Sequence, residues 1–134
     1  MEDNIGATNV IFGWVWLFVG VLFAIWMGLY AFEPDWLGGY TSLSRRLLRL
    51  SHIAFIALSL TNILYGLFID TVQLNGSLKK IGAFSLIVAS IFMPAVCLLS
   101  ILDRFFQFFF FIPALSFACG IFVMAFGQIK RLKR

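Results

Sequence analysis

The sequence predicts an all-α integral membrane protein, a four-transmembrane-helix antiparallel bundle with short loops. The chain has 134 residues, of which 62% are hydrophobic and only 12% are charged. Soluble chains average about 45–50% apolar and 25% charged residues, so this composition could not keep a water-exposed surface in solution. Its apolar runs reach the length of about 20 residues that crosses a bilayer. They occupy most of the chain, and we expect one transmembrane domain over residues 1–134.

The predicted spans follow one another with little sequence between them. Their approximate ranges are 9–32, 47–69, 79–101 and 105–127. No Lys or Arg precedes the first run and no cleavage site is evident after it, so we expect this run to be retained as a span. Pro34 and the pair Gly38-Gly39 interrupt the chain before the second span, and Asn75-Gly76 interrupts it before the third.

The first span carries aromatic residues that we expect at the two membrane surfaces. Trp14 and Trp16 are predicted to mark one interface and Trp26 the other, because amphipathic rings concentrate at headgroup depth. Small residues recur every four positions from Gly20 to Gly28. This spacing predicts a face along which the backbone of another helix comes close.

The second span combines an arginine cluster with one narrow polar stripe. Its polar residues lie three, four or seven apart and share one helix face: Arg45, Arg49, His52, Ser59, Asn62, Gly66 and Asp70. Such a stripe on an apolar span is expected to face protein rather than lipid. Ser59 and Asn62 are the predicted polar packing residues, because an unsatisfied polar group in hydrocarbon is costly. Arg45 and Arg46 are expected at the lipid headgroups.

His52 is the only histidine and the side chain best suited to bind a cofactor. Its imidazole could ligate haem b, border a quinone site or pass a proton, with Arg49 pairing with a propionate or headgroup. Haem b in a membrane bundle usually takes two histidines, so a haem here would need a ligand from a partner subunit or a second copy at a shared interface, or would be five-coordinate. The alternative is a structural imidazole that hydrogen-bonds a neighbouring helix or a lipid headgroup.

The third and fourth spans contain Pro94 and Pro113, separated by a very short turn at residues 102–104. Both prolines lie about 14 Å from that turn at 1.5 Å per residue, which predicts two kinks at one depth. A shared pocket at this depth and simple packing both stay open, because membrane helices tolerate proline. The aromatic run Phe105–Phe111 is predicted to face lipid or another subunit.

The other reactive residue types show no pattern of an enzyme. The carboxylates lie outside the apolar runs or at their ends: Glu2, Asp3, Glu33, Asp35, Asp70 and Asp103. Cys97 and Cys119 lie inside spans, without the neighbouring His or Cys that zinc or iron–sulfur sites need. No Gly-rich phosphate loop or nucleophile motif is present. We expect no autonomous enzyme, no metal site and no nucleic-acid partner.

The basic residues predict an orientation, because they cluster at the ends of the apolar runs. The termini and the loop between spans two and three carry six Lys or Arg residues, against four on the opposite side. The positive-inside rule therefore predicts cytoplasmic termini. We expect an inner or plasma membrane of a prokaryote.

Taken together, these features predict a non-catalytic accessory or structural subunit of a larger membrane complex, with an electron-transfer assembly, respiratory or photosynthetic, as the first choice. Its expected partners are membrane lipids and other transmembrane subunits. One alternative is a membrane anchor subunit that contributes to a haem b or quinone site through His52. The other is a small oligomeric transporter, although the spans lack the mid-membrane carboxylate that ion coupling usually needs.

Overall fold

The computed structural model describes residues 4–132, and all of their long secondary-structure elements are α-helices. In chain order these are α1 (Ile5–Tyr30), a short 3₁₀ helix (Trp36–Gly38), α2 (Leu43–Ile69), α3 (Gly76–Leu102), a 3₁₀ segment (Arg104–Phe110) and α4 (Phe111–Leu132). Four helical stretches are long and apolar enough to cross a membrane, the last of them being the 3₁₀ segment together with α4. The prediction of an all-helical protein with four long apolar helices is confirmed for the described residues.

Side-chain caps set where the helices begin. Asn4 caps α1, Ser42 caps α2 and Asn75 caps α3, each accepting a backbone hydrogen bond through its side-chain oxygen. Asp103 caps the 3₁₀ segment in the same way. Such oxygens satisfy N–H groups that have no acceptor within the helix. Because the first cap is Asn4, α1 begins at Ile5 and not near residue 9, where the apolar run alone predicts its start.

Three glycines spaced seven apart, Gly6, Gly13 and Gly20, allow α1 to lie directly against α2. A methyl group at Gly13 would lie 2.6 Å from Ile63 Cγ1 and 2.8 Å from the carbonyl oxygen of Ser59. Seven residues are close to two helical turns, so the three glycines share one face. This glycine face brings the two backbones close together.

The predicted contact face from Gly20 to Gly28 is correct only at its first residue. Gly20 is buried, but no atom lies within 4 Å of the position that a Cβ of Gly28 would take. A four-residue repeat drifts around the helix relative to the partner, whereas a seven-residue repeat stays close to it. The contact therefore follows the heptad spacing toward the beginning of α1.

The buried face of α4 has a proline and two glycines with the same spacing, and it packs on α3 and on the turn after α2. Pro113, Gly120 and Gly127 are buried, and the side chain of Leu86 occupies the space beside Gly120. α2 and α3 lie at the centre, α1 packs mainly on α2, and α4 packs mainly on α3. A hydrophobic core of α2, α3 and α4 residues and the turn after α2 contains Tyr65, Ile69, Val72, Ala83, Leu86 and Val123. The two outer helices therefore leave most of their surface exposed.

The two prolines have different structural roles. Pro94 lies buried inside α3, whereas Pro113 belongs to the first turn of α4, directly after the 3₁₀ segment. The first turn of a helix tolerates proline because its N–H groups have no acceptor within the helix. Pro113 can therefore be accommodated without a kink, and the predicted kink at Pro94 stays a prediction.

The glycine face makes a testable prediction about stability. Gly13→Ala should lower the free energy of unfolding by about 1–3 kcal/mol, because the new methyl group overpacks the α1–α2 contact. The matched control Gly28→Ala should leave it unchanged or raise it by up to about 1 kcal/mol, since alanine favours a helix. Unfolding in mixed detergent micelles, followed by circular dichroism, measures both. Equal stability of the two variants would contradict close packing at Gly13.

Candidate functional site

Three buried polar side chains, Asn9, Asn62 and Ser90, join α1, α2 and α3, and we call them the polar cluster. None of the three is exposed. Asn9 Nδ2 donates to Asn62 Oδ1 at 2.8 Å, and Asn62 Nδ2 donates to Ser90 Oγ at 2.7 Å. Asn9 Nδ2 also donates to the carbonyl oxygen of Ala83 at 3.1 Å. Because buried polar groups must be satisfied, these bonds fix how the three helices are rotated relative to one another.

Trp16 adds a further contact between α1 and α3 beside the polar cluster. Its Nε1 donates to the carbonyl oxygen of Ser90 at 2.9 Å, and its ring lies 5.4 Å from that of Phe55. The sequence predicts Trp14 and Trp16 at the end of a span. The structure places both in the middle third of α1, because that helix begins at Ile5, and their depth in a membrane stays a prediction. Trp14 is exposed, whereas Trp16 is half-buried against its neighbours.

The polar stripe of α2 lies along α1 over much of its length. Asp70 Oδ2 accepts a hydrogen bond from the N–H of Gly6 at 3.3 Å, and the backbone of Gly66 also lies beside Gly6. Ser59 is fully buried, but its hydroxyl donates to the Phe55 carbonyl of its own helix at 2.5 Å. Ser59 therefore contributes close packing, while Asn62 carries the hydrogen bonds between helices.

One acceptor of the polar cluster has no donor within residues 4–132. The amide oxygen of Asn9 is buried and accepts no hydrogen bond there. Asn9 also lines a cavity of about 400 Å³ between α1 and α3, together with Thr8, Lys80 and Phe84. An unpartnered acceptor at the wall of a partly polar cavity suits a hydroxyl, an amine or a water molecule.

Sequence reasoning did not single out Asn9 and Ser90. A signal for Asn9 was available, because it lies three residues after Gly6 and therefore shares the glycine face. Ser90 gives no comparable signal, since a serine in an apolar helix commonly bonds the carbonyl four residues earlier. Ser90 does form that bond, to Leu86 at 2.8 Å, and accepts from Asn62 as well.

His52 lies apart from the polar cluster. The imidazole is half-buried and its ring centroid lies 6.5 Å from that of Phe23. Within the described part of the chain it forms no hydrogen bond. Residues 4–132 also contain no group of three or more His, Cys, Asp or Glu side chains that could hold a metal ion. Cys97 and Cys119 are free thiols.

A second polar site lies where the connection between α1 and α2 wraps around Arg45. We call Arg45, Arg49, Trp36 and Tyr40 the arginine cage. Arg45 is only 6% exposed, and its Nη2 donates to the carbonyl oxygen of Ala31 at 2.8 Å. Its guanidinium carbon lies 5.5 Å from the Trp36 ring centroid and 5.8 Å from that of Tyr40. The guanidinium carbon of Arg49 lies 4.5 Å from the Tyr40 ring centroid.

The backbone of the connection shapes this cage. Leu37 has a positive φ of 53°, and Gly38 and Gly39 continue at 81° and 90°. A positive φ is unusual for leucine, so the surrounding contacts must hold it there. Ser42 supplies one of them, because its hydroxyl donates to the Leu37 carbonyl at 2.7 Å and also caps α2. The turn places Trp36 and Tyr40 beside Arg45.

Aromatic rings continue from the cage onto α1. Trp26 and Tyr30 lie in the last turns of that helix, with ring centroids 6.0 and 5.5 Å from that of Trp36. Arg46, the residue after Arg45 on α2, is exposed. Comparison of the chain with protein-family models, with curated proteins and with solved structures finds no match.

The polar cluster makes a second prediction. Asn62→Leu should lower the free energy of unfolding by about 1–3 kcal/mol, because it removes the bonds to Asn9 and Ser90 and leaves buried polar groups unpaired. The matched control is Thr61→Val, since the Thr61 hydroxyl bonds only the Ala57 carbonyl of its own helix. It should change stability by less than about 0.5 kcal/mol. Equal effects in detergent unfolding would show that the interhelical bonds contribute nothing.

Proposed function

We propose that this protein is an integral membrane subunit that packs within a larger membrane protein complex and has no catalytic site of its own. The observation that carries the proposal is the two-faced construction of α4. One face, with Pro113, Gly120 and Gly127, is buried, Gly120 against α3 and Gly127 against the turn after α2. The other bears large exposed apolar side chains at helical spacing: Phe111, Leu115, Phe122, Phe126 and Ile129.

This outer face suits a neighbouring transmembrane helix. Phe122 is 69% exposed, and its ring stacks on that of Phe126 with centroids 6.2 Å apart and planes 13° apart. In hydrocarbon, apolar burial does not drive helices together, so association depends on close van der Waals contact. Stacked rings provide a broad rigid surface for such contact. Soluble monomers rarely expose apolar patches larger than a few hundred Å².

The contacts between helices support an antiparallel transmembrane arrangement. Along α1, Gly6 lies beside Gly66 and Gly13 lies beside Ile63, so the residue numbers run in opposite directions on α1 and α2. Four alternating spans place both termini on one side of the bilayer. The basic end of α4 favours the cytoplasmic side of an inner or plasma membrane.

Among membrane complexes we propose an electron-transfer assembly, respiratory or photosynthetic. The flat rings on the outside of α4 suit a groove beside a quinone tail or a porphyrin held by a neighbouring subunit. The proposal requires no cofactor ligand from this chain. Its partners would be membrane lipids and other transmembrane subunits.

Gentle extraction followed by native mass spectrometry tests the accessory role. The chain should be recovered in fixed stoichiometry with other transmembrane subunits. The double variant Phe122→Ala with Phe126→Ala should reduce the partner-bound fraction severalfold, because it removes the stacked rings. The matched control is Phe18→Ala with Phe84→Ala, which removes two exposed rings from α1 and α3. Recovery of the chain alone, or equal loss in both doubles, would contradict the proposal.

A second candidate function is a direct cofactor role for His52. The observation that favours it is a half-buried imidazole without a hydrogen bond among residues 4–132, which leaves its ring nitrogens available to a group from outside. Haem b would take one ring nitrogen as an axial ligand, whereas a quinone would accept a hydrogen bond from it. Arg49 lies one turn away on α2 and could pair with a propionate.

The second candidate predicts a Soret band, or bound quinone, in the purified complex. His52→Ala should abolish the band or release the quinone, while His52→Gln should retain quinone but not haem, because glutamine donates hydrogen bonds but is a poor haem ligand. A visible spectrum and quinone extraction measure both outcomes. A complex with neither group, or one unchanged by His52→Ala, would remove this candidate.

A further inference from the structure

The arginine cage has an excess of positive charge. Arg45 is buried, and Arg49 lies one turn further along α2 against the same Tyr40 ring. Neither guanidinium forms an ion pair with any residue between 4 and 132, including the loop carboxylates Glu33 and Asp35. Buried charges are normally paired, because removing an ion from water is costly. The described chain therefore lacks a matching anion for this site.

Backbone carbonyls satisfy only part of this requirement. Arg45 donates to the carbonyl oxygen of Ala31 at 2.8 Å and to that of Pro34, in the loop that follows, at 3.5 Å. The carbonyl of Ala31 lies at the C-terminal end of α1, where the helix dipole gives carbonyl groups a partial negative charge. Arg49 reaches one carbonyl, that of Tyr40, at 3.4 Å. Each guanidinium has five N–H donors, so most donors in the cage have no acceptor among residues 4–132.

The direction of α2 adds further positive potential. Its first two turns contain Arg45, Arg46 and Arg49 and its first turn contains no acidic residue. The N-terminal end of a helix carries about half a positive charge, which disfavours cations and favours an anion. Ser42 caps one N–H group but adds no negative charge. The N-terminal end of α2 and the arginine side chains thus both favour an anionic ligand.

A small cavity lies against the arginine cage. It has a volume of about 100 Å³, and Arg45, Arg49, Trp36 and Tyr40 line it together with Met27. This space suits a single tetrahedral anion and excludes a large one. The walls also include aliphatic and aromatic surface, which suits a group attached to an apolar chain.

From these observations we infer that the arginine cage binds the phosphate of an anionic phospholipid headgroup. Arginine matches phosphate geometry through paired N–H donors, and Trp26, Tyr30 and Trp36 beside the cage are residue types that concentrate at headgroup depth. A lipid is favoured over free phosphate because it arrives from the bilayer at this depth with its acyl chains along α1 and α2. The inference rests on the proposed membrane insertion and is independent of the accessory role.

Native mass spectrometry of the full chain in detergent tests this site. The chain is titrated with phosphatidylglycerol, phosphatidylcholine or inorganic phosphate, and the bound mass is counted. One phosphatidylglycerol should be retained per chain in preference to phosphatidylcholine. Arg49→Gln and Arg45→Gln should each weaken its binding about tenfold, the effect of losing one charged hydrogen bond.

Arg46→Gln is the matched control, because it removes the same charge from an exposed position on the same helix turn. It should weaken binding less than about twofold, as expected for a screened surface charge. Arg45 also holds the end of α1, so Arg45→Gln could unfold the cage. Arg49→Gln loses only one hydrogen bond within the protein, the 3.4 Å bond to the Tyr40 carbonyl. This variant therefore keeps the test decisive, provided that circular dichroism shows that it is folded.

Several results would overturn the inference. Equal loss in Arg46→Gln would show general electrostatic attraction, and absence of retained phosphatidylglycerol would remove the site. Inorganic phosphate that binds with the same Arg45 and Arg49 dependence, and displaces the lipid, would assign the cage to a soluble anion. Loss of a partner subunit rather than lipid in Arg49→Gln would assign it to a partner carboxylate.

Discussion

The hydrogen bonds of one amide, that of Asn62, constrain the arrangement of the central helices. The amide lies on an apolar helix, where water cannot satisfy it and an unpaired polar atom is costly. Its oxygen accepts from Asn9 on α1, and its nitrogen donates to Ser90 on α3. These short side chains reach one another only if the helix backbones come close, which explains why glycine at Gly6 and Gly13 flanks the contact. The hydrogen bonds of the buried polar groups therefore depend on close packing of the backbones, and residues on three helices contribute to both.

The outer helices use the same glycine spacing with different consequences. α1 adds the Asn9 amide and the Trp16 indole to its glycine face, so directional bonds define its rotation. The buried face of α4 contains Pro113, Gly120, Val123 and Gly127, which pack without such directional bonds. Apolar packing tolerates small rotations better than a buried hydrogen-bond network does. This difference makes α4 the helix better able to adjust to the neighbouring subunit that we propose.

The sequence was sufficient to predict the helices but not which residues of different helices contact one another. Apolar runs and the local spacing of Asn62, Ser59 and Asp70 reveal long helices and a polar stripe, because both are properties of a single segment. The start of α1 depended on the Asn4 cap, a single residue outside the apolar run. The pairing of Asn62 with Asn9 joins residues 53 positions apart, and no periodicity within one helix contains that information. The same limit applies to the arginine cage, which needs the positive φ of Leu37 to close around Arg45.

The positions of the two polar sites make their functions separable. Asn9 lies in α1, and Ala31, which contacts the cage, is the C-cap of the same helix. The two residues are 22 positions apart, which corresponds to about 33 Å along a helix. Substitutions more than about 10 Å apart with no shared partners usually have additive effects. The polar cluster stabilises the helix arrangement, whereas the cage concentrates positive charge next to aromatic rings. A change in the cage should therefore alter the proposed anion binding while the helix packing persists. Loss of lipid from an Arg49 variant would then be evidence about the cage and not about the fold.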